Sequence, residues 1–232
     1  MDLSVRSSEI ELMDQPGLSA DALHKALLDV NFCNQWLGGY QLTIRKVVQY
    51  IKANPKPHYT IMDVGCGDGA MLRKLLEKLQ SNRIAHTLIG VDINTTALEI
   101  AKNTTEAEAI KYRQCDILKD QPDPCDIVLC TLTLHHLPEK QILTFVERLV
   151  YLAKDVVIIN DLERSAVSHL LFKIFGFFFL KSPIAKNDGL TSIRRAFQKS
   201  ELISLAQLLK YANHSITRGW AFRWLWVLQP KN

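Results

Sequence analysis

The chain has 232 residues, 47% of them hydrophobic and 22% charged, with a formal net charge of +4. That length suits one α/β domain with an elaboration, and a core of this size needs no disulfide or metal staple. Lys and Arg are scattered without a basic run, which argues against a nucleic-acid surface. The five cysteines (Cys33, Cys66, Cys115, Cys125, Cys130) form neither a CxxC pair nor a His/Cys zinc spacing, so no metal is expected.

The odd cysteine count and mostly apolar flanks suggest reduced, partly buried thiols in a cytoplasmic protein. Residues 1–15 are polar and acidic, unlike a signal peptide. The longest apolar stretch, His169–Leu180, is interrupted by Lys173 and falls short of the roughly 20 residues a bilayer span takes.

Residues 19–52 read as two helices. Ser19 caps the first, whose apolar face is Leu23, Leu27, Leu28 and Val30. Gly38-Gly39 interrupts, and Leu42, Ile44, Val47, Val48 and Ile51 form a second face. Pro55 and Pro57 close this unit, so the expected division is an N-terminal helical lid at 1–57 and a second domain at 58–232.

From Thr60 strand and helix alternate. Strands are expected at 60–64, 87–91, 111–115, 125–130 and 155–159, and helices at about 70–81, 95–103 and 139–153. Nearly continuous apolar strands separated by helices imply a parallel sheet covered on both faces. His214–Trp220 and Phe222–Leu228 are two strand-like runs with a minimal connection, so they should pair antiparallel. Before them lies a cap insertion at about 161–198, rich in phenylalanine, and Ser200 is expected to cap a helix through Leu209.

The stretch Thr60-Ile-Met-Asp-Val-Gly-Cys-Gly-Asp-Gly-Ala70 carries the most chemistry. It reads as strand, glycine turn and helix, with a helix N-terminus offering free N–H groups to a ligand. Gly65-x-Gly67-x-x-Ala70, followed by Asp92 at the end of the second strand, satisfies the dinucleotide pattern, which leaves a nicotinamide oxidoreductase open. Asp63 and Gly69 argue the other way. A carboxylate just before the turn suits an α-amino group and a sulfonium, and it repels a pyrophosphate.

The ordered blocks Asp63-Val-Gly-Cys-Gly-Asp-Gly69, Val91-Asp92-Ile93, Cys115-Asp116-Ile117 and Asp126-Ile-Val-Leu-Cys-Thr-Leu-Thr-Leu-His-His-Leu137 resemble a class I S-adenosylmethionine-dependent methyltransferase. The resemblance covers about residues 58–230 and implies a Rossmann-like fold, with a seven-stranded, mostly parallel sheet and an antiparallel last strand. The N-terminal helices and the insertion after strand five would form a lid. The family's pattern puts Asp63, Gly65 and Gly67 at the methionine end of S-adenosyl-L-methionine, Asp92 on the ribose hydroxyls and Ile93 against the adenine. Asp116 and Ile117 would meet the adenine amino side, and Thr131 and Leu132 the sulfonium. Asp63 can also be read as a carboxylate that holds the loop, and Asp116 as the start of a turn.

No Pro-Pro-aromatic tetrad follows the fourth strand, so a small-molecule acceptor is expected. Leu134-His-His-Leu137 resembles the ubiquinone/menaquinone-biosynthesis type of methyltransferase. Glu11-Leu-Met-Asp14, Asn34-Gln-Trp-Leu-Gly-Gly39, Asp161-Leu-Glu-Arg164 and Asp188–Phe197 resemble bacterial enzymes that methylate phenolic or polyketide products. Gln35 stands where that group has an arginine. The resemblance implies methylation of an oxygen, or a carbon, of a small aromatic, quinone-like or polyketide acceptor by a monomer or weak dimer.

A phenol has a pKa of about 10, and His135 and His136 are the nearest candidates to take its proton. One of two adjacent histidines can equally order the turn after the strand. The phenylalanines of 161–198 suit an apolar acceptor, ordinary packing, or transient contact with a membrane by Phe177–Leu180. A non-catalytic S-adenosylmethionine-binding protein would share every cofactor residue.

Overall fold

The structure is a computed structural model that describes residues 3–15, 17–106 and 108–231. After a short 3-10 turn at Leu12–Asp14, two helices follow, α1 (Ala20–Trp36) and α2 (Gly39–Ala53). Ser19 caps α1 by accepting the Ala22 N–H, and Gly38 turns the chain between the two at φ +67°.

Then come β1 (Tyr59–Val64), α3 (Ala70–Ser81), β2 (His86–Asp92), α4 (Thr95–Asn103), β3 (Lys111–Gln114), β4 (Cys125–Thr131), α5 (Glu139–Leu152) and β5 (Ala153–Leu162). The insertion folds as α6 (Ala166–Phe179) and α7 (Pro183–Arg195). It leads to α8 (Lys199–Leu208) and the hairpin β6 (Ala212–Gly219) and β7 (Arg223–Pro230). Helix α8 starts one residue before the expected cap: the Gln198 N–H donates to Glu201 Oε2 at 2.7 Å, so Gln198 and not Ser200 sits at its entrance.

The seven strands lie in the order β3-β2-β1-β4-β5-β7-β6, with β1 to β5 parallel and β7 antiparallel to both its neighbours. The strand order reverses between β1 and β4, which makes a crevice beyond their carboxyl ends. The two-residue period of β4 separates two cores. Ile127 and Leu129 face α2 and α3, while Val128 and Cys130 face α5 and α8. Leu72, Leu75, Ile127, Leu129 and Leu134 are fully buried, each stabilising the fold by about 1.5–3 kcal/mol.

Residues 1–57 divide in two. Helix α2 sends Ile44, Val47 and Ile51 into the sheet core, whereas α1 joins α6 and α7 in a small separate cluster around Cys33, Leu180 and Ala185. The Asp29 carboxylate ties this cap together by accepting the Lys181 and Ser182 N–H groups at 2.7 and 2.6 Å. The α6 phenylalanines also divide: Phe172 and Phe175 pack inward, and Phe177, Phe178 and Phe179 are exposed. All five cysteines are free and buried. Among the described residues no helix is long and apolar enough to cross a membrane.

Candidate active site

Two clefts meet above the carboxyl ends of β1 and β4. The first, about 1030 Å³, is lined by Asp63, Gly65, Gly67, Asp92, Ile93, Asp116, Ile117, Thr131 and Leu132, so every cofactor residue expected from the sequence faces one space. The second, about 720 Å³, lies under the cap and is lined mainly by apolar side chains, including Leu37, Leu171, Phe172, Phe175 and Trp220. Leu132 and His136 border both.

In the first cleft the glycine turn is shaped by backbone conformation. Gly65 and Gly67 have φ of +74° and +55°, the left-handed region that costs glycine nothing. A Cβ on Gly65 would strike Thr133, whereas one on Gly67 would meet nothing within 4 Å among the described residues. Gly67 is therefore needed for its backbone conformation, Gly65 also for close packing.

Asp63 is buried, and among the described residues its Oδ1 has no hydrogen-bond partner. Burial, reinforced by the charge of Asp92, raises its pKa well above the usual carboxylate range. Such a group calls for a cation. Asp92 accepts the Gly67 N–H and the Asn94 N–H at 2.8 Å each, one on each oxygen, and every carboxylate oxygen has a second lone pair left. Burial still raises its pKa, against those bonds.

Asp116 serves the turn as well as the cleft. It accepts the Leu118 N–H and pairs with Lys119 Nζ at 2.8 Å, and that hydrogen bond holds its pKa low. Ile117 is buried, and Ile93 stands exposed at the rim. Thr131 Oγ1 lies 3.2 Å from Thr43 Oγ1. Leu132 has φ +58°, a strained value for a branched residue, held by its N–H bond to the Asn160 carbonyl at 2.8 Å.

The junction carries a cluster of charge. His135 is buried, with Nδ1 2.6 Å from Asp161 Oδ1, and its backbone N–H donates to Asp161 Oδ2. Burial pushes the Asp161 carboxyl up, but the His135 ring outweighs it and the pKa falls below the usual value. His136 Nδ1 lies 2.7 Å from Asp14 Oδ2. Burial pushes the His136 pKa down, yet the Glu11 and Asp14 carboxylates raise it to about 9. With that pKa, His136 carries a proton at neutral pH and is no base in this state. The free Nε2 atoms of both rings face the Glu11 carboxylate.

Residues 9–14 are held there by α7. Asp188 accepts the Leu12 and Met13 N–H groups, Ser192 donates to Glu11 Oε1 at 2.9 Å, and Arg195 donates to the carbonyls of Glu9, His135 and His136. Glu11, Asp14, Asp161, Asp188 and Arg195 stand inside the quoted family-like blocks, but spacing alone does not reveal that these blocks meet. Arg223 is a further unforeseen residue. It is buried in the lining of the apolar cleft, where its Nη2 donates to Asn34 Oδ1 at 2.8 Å. Across the first cleft, the Asn31 amide donates to Asp68 Oδ2 at 2.6 Å and links α1 to the glycine turn.

Residues 61–155 match the protein family described as a methyltransferase domain (Methyltransf_25). The strand order and the antiparallel β7 are those of class I, S-adenosylmethionine-dependent methyltransferases.

Among solved structures, the plantazolicin methyltransferase BpumL, crystallised with a pentazolic desmethylPZN analog and SAH, is 16% identical. It superposes with a TM-score of 0.65 over 91% of this chain and 98% of that one. The magnesium protoporphyrin IX methyltransferase of Synechocystis PCC 6803, with bound SAH, is 17% identical with a TM-score of 0.57, over 83% of this chain and 84% of that one. The CMeT domain of the citrinin polyketide synthase is 13% identical with a TM-score of 0.63, over 83% of this chain and 52% of that one. At these identities the likeness is one of fold. No curated protein sequence matches the chain.

Proposed function

We propose that the protein transfers the methyl group of S-adenosyl-L-methionine to an oxygen, or a carbon, of a small, largely apolar aromatic or polyketide-like acceptor. The observation that carries this reading is the meeting of the two clefts at Leu132 and His136. One cleft holds the buried Asp63, whose Oδ1 is unpartnered among the described residues, together with Asp92, and the other is mainly apolar with charged residues in its lining. When bound, the cofactor supplies an electrophilic methyl group on a sulfonium.

Asp63 holds the α-amino group, which stabilises its ionised form. Asp92 accepts from the ribose hydroxyls, and Asp116 and Ile117 border the adenine with Ile93 over its face. Thr131 and the strained Leu132 aim the methyl group at the second cleft. The glycine turn lets the backbone approach closely at Gly67.

Helix α1, residues 3–15 and the α6–α7 pair act as the lid expected from the sequence, excluding water and aligning the acceptor. Phe172 and Phe175 furnish its apolar wall. His135 and His136, with Glu11, are where the acceptor's proton is handled. With Nδ1–H given to Asp161, His135 presents a lone pair on Nε2 to the acceptor side.

The test is turnover with methyl-labelled cofactor against a panel of phenols, hydroxyquinones and aromatic polyketides. Label on the phenolic oxygen or ring carbon of a panel member is the expected result. Tight cofactor binding with no transfer to any class of acceptor would favour a regulatory cofactor-binding protein instead.

A further inference from the structure

The charged cluster between the clefts has a geometry that hydrogen bonding does not explain. Glu11 is 1% exposed, and among the described residues the Ser192 hydroxyl is the one side chain that hydrogen-bonds to it. Its Oε1 lies 3.6 Å from His135 Nε2 and its Oε2 lies 3.8 Å from His136 Nε2. Both separations are too long for hydrogen bonds. They approach the spacing of neighbouring ligands on one ion, about 3.3–3.6 Å for a tetrahedral site with bonds of roughly 2.0–2.2 Å. One ligand atom from each of the three residues lies within 4.8 Å of the others.

We propose that Glu11, His135 and His136 bind a first-row divalent transition-metal ion, of which Zn²⁺ is the reference, at the junction of the two clefts. A second feature supports the site independently of those distances. Each ligand is oriented by a further partner: Asp161 on His135 Nδ1 at 2.6 Å, Asp14 on His136 Nδ1 at 2.7 Å and Ser192 on Glu11. A carboxylate on the far nitrogen of each imidazole holds Nδ1–H and turns Nε2 inward, where an ion displaces the second proton of His136, as in well-formed histidine metal sites. Ordinary paired histidines in a turn need neither carboxylate.

Charge agrees with this placement. Glu11, Asp14 and Asp161 put three carboxylates around the two rings, and Arg195 is engaged with backbone carbonyls. A dication that displaces the His136 proton balances what the local arginine leaves over. Two imidazoles and one carboxylate form a borderline nitrogen and oxygen set, which selects Zn²⁺, Fe²⁺, Co²⁺ or Mn²⁺ over the all-oxygen preferences of Mg²⁺ and Ca²⁺.

Three protein ligands leave a further position open, and all three residues line the apolar cleft. An acceptor hydroxyl oxygen fits that position. Bound to the ion, it loses its proton to water, since His135 Nε2 is then a ligand and no longer the base, and stays on the metal as an oxyanion. This chemical role rests on the methyl-transfer reading, whereas the existence of the site does not. Sequence spacing hides the ligands because Glu11 comes from the N-terminal segment and the histidines follow β4.

The experiment uses the full-length chain without an affinity tag, stripped of metal by chelation. Zn²⁺ is titrated by calorimetry, Co²⁺ is followed by its visible absorption, and the Zn²⁺-loaded wild type is examined by X-ray absorption. S-adenosylhomocysteine is titrated in parallel with every variant. The expected result is one saturable equivalent of Zn²⁺ with two imidazoles and oxygen in its first shell. Glu11→Gln should weaken binding by tenfold or more, and Asp14→Asn by about ten- to a hundredfold.

Three results would overturn the site. These are no saturable Zn²⁺ binding by the wild type, sulfur or fewer than two imidazoles in the metal's first shell, or Glu11→Gln and Asp14→Asn binding as tightly as wild type. The X-ray absorption arm needs no variant, so it stands even if a substitution unfolds the chain. Loss of S-adenosylhomocysteine binding by the wild type would count against the cofactor reading alone.

Discussion

The cleft proposed for the methyl donor and the cleft proposed for the acceptor, here the donor and acceptor clefts, are built in opposite ways. The donor cleft takes its polar groups from the ends of adjacent parallel strands: Asp63 on β1, Asp92 on β2, Asp116 after β3 and Thr131 on β4. Each side chain is placed by a strand that the sheet core already fixes. The acceptor cleft draws on the N-terminal segment, α1, the turn after β4, α6, α7 and the β6–β7 hairpin, held together by Asp29, Asp188, Ser192 and Arg195. A strand-end site is rigid and general, whereas a site assembled by polar bonds between excursions can vary in shape and in acceptor while the sheet stays the same.

That contrast can be broken in order of expected effect. Asp161→Asn removes the carboxylate behind His135 and acts only on the acceptor side. Turnover should fall by about a hundredfold or more, with S-adenosylhomocysteine affinity unchanged in calorimetry. A matching loss of cofactor affinity would mean the two clefts are not separable. Asp92→Ala attacks the donor side alone. Losing hydrogen bonds to a charged group weakens S-adenosylhomocysteine by about 1.5–3 kcal/mol, roughly ten- to a hundredfold, and leaves the Zn²⁺ titration as it was.

Phe175→Ala sharpens the comparison within the cap. Phe175 packs on Phe32, Phe172 and Phe179 and lines the apolar cleft. The acceptor KM should rise about tenfold, in line with the 1–3 kcal/mol that apolar pocket contacts contribute, while the cofactor KM holds. Phe178→Ser is the smallest change. That ring is 70% exposed, so denaturant unfolding should shift by no more than about 0.5 kcal/mol. A larger loss would show that the outer face of α6 is covered in solution.

The same contrast explains what could be read from the chain. The strands, the glycine turn and all nine cofactor candidates come from local periodicity and short blocks, and a parallel sheet gathers its strand ends at one edge by construction. Helix boundaries moved by a residue or two, as at Gln198, where a glutamate three positions on supplies the cap bond. The role of residues 1–57 was less legible. The apolar faces of α1 and α2 look alike in sequence, but α2 packs on the sheet and α1 on α6 and α7.

The phenylalanines posed the same problem, because they stand on several sides of the mostly apolar α6 and its buried side is chosen by α1 and α7. The histidine pair was visible, but its partners were not. Glu11, Asp14 and Asp161 reach it from distant parts of the chain through bonds made by α7, and no local spacing encodes them.

The central claim is that the first cleft holds S-adenosylmethionine through carboxylates that need a cation and hydroxyl donors. Calorimetry of the wild-type chain with S-adenosylhomocysteine and, separately, with NADH tests it most directly. Saturable one-to-one binding of S-adenosylhomocysteine with no heat from NADH is the predicted result. Binding of NADH without S-adenosylhomocysteine would contradict it.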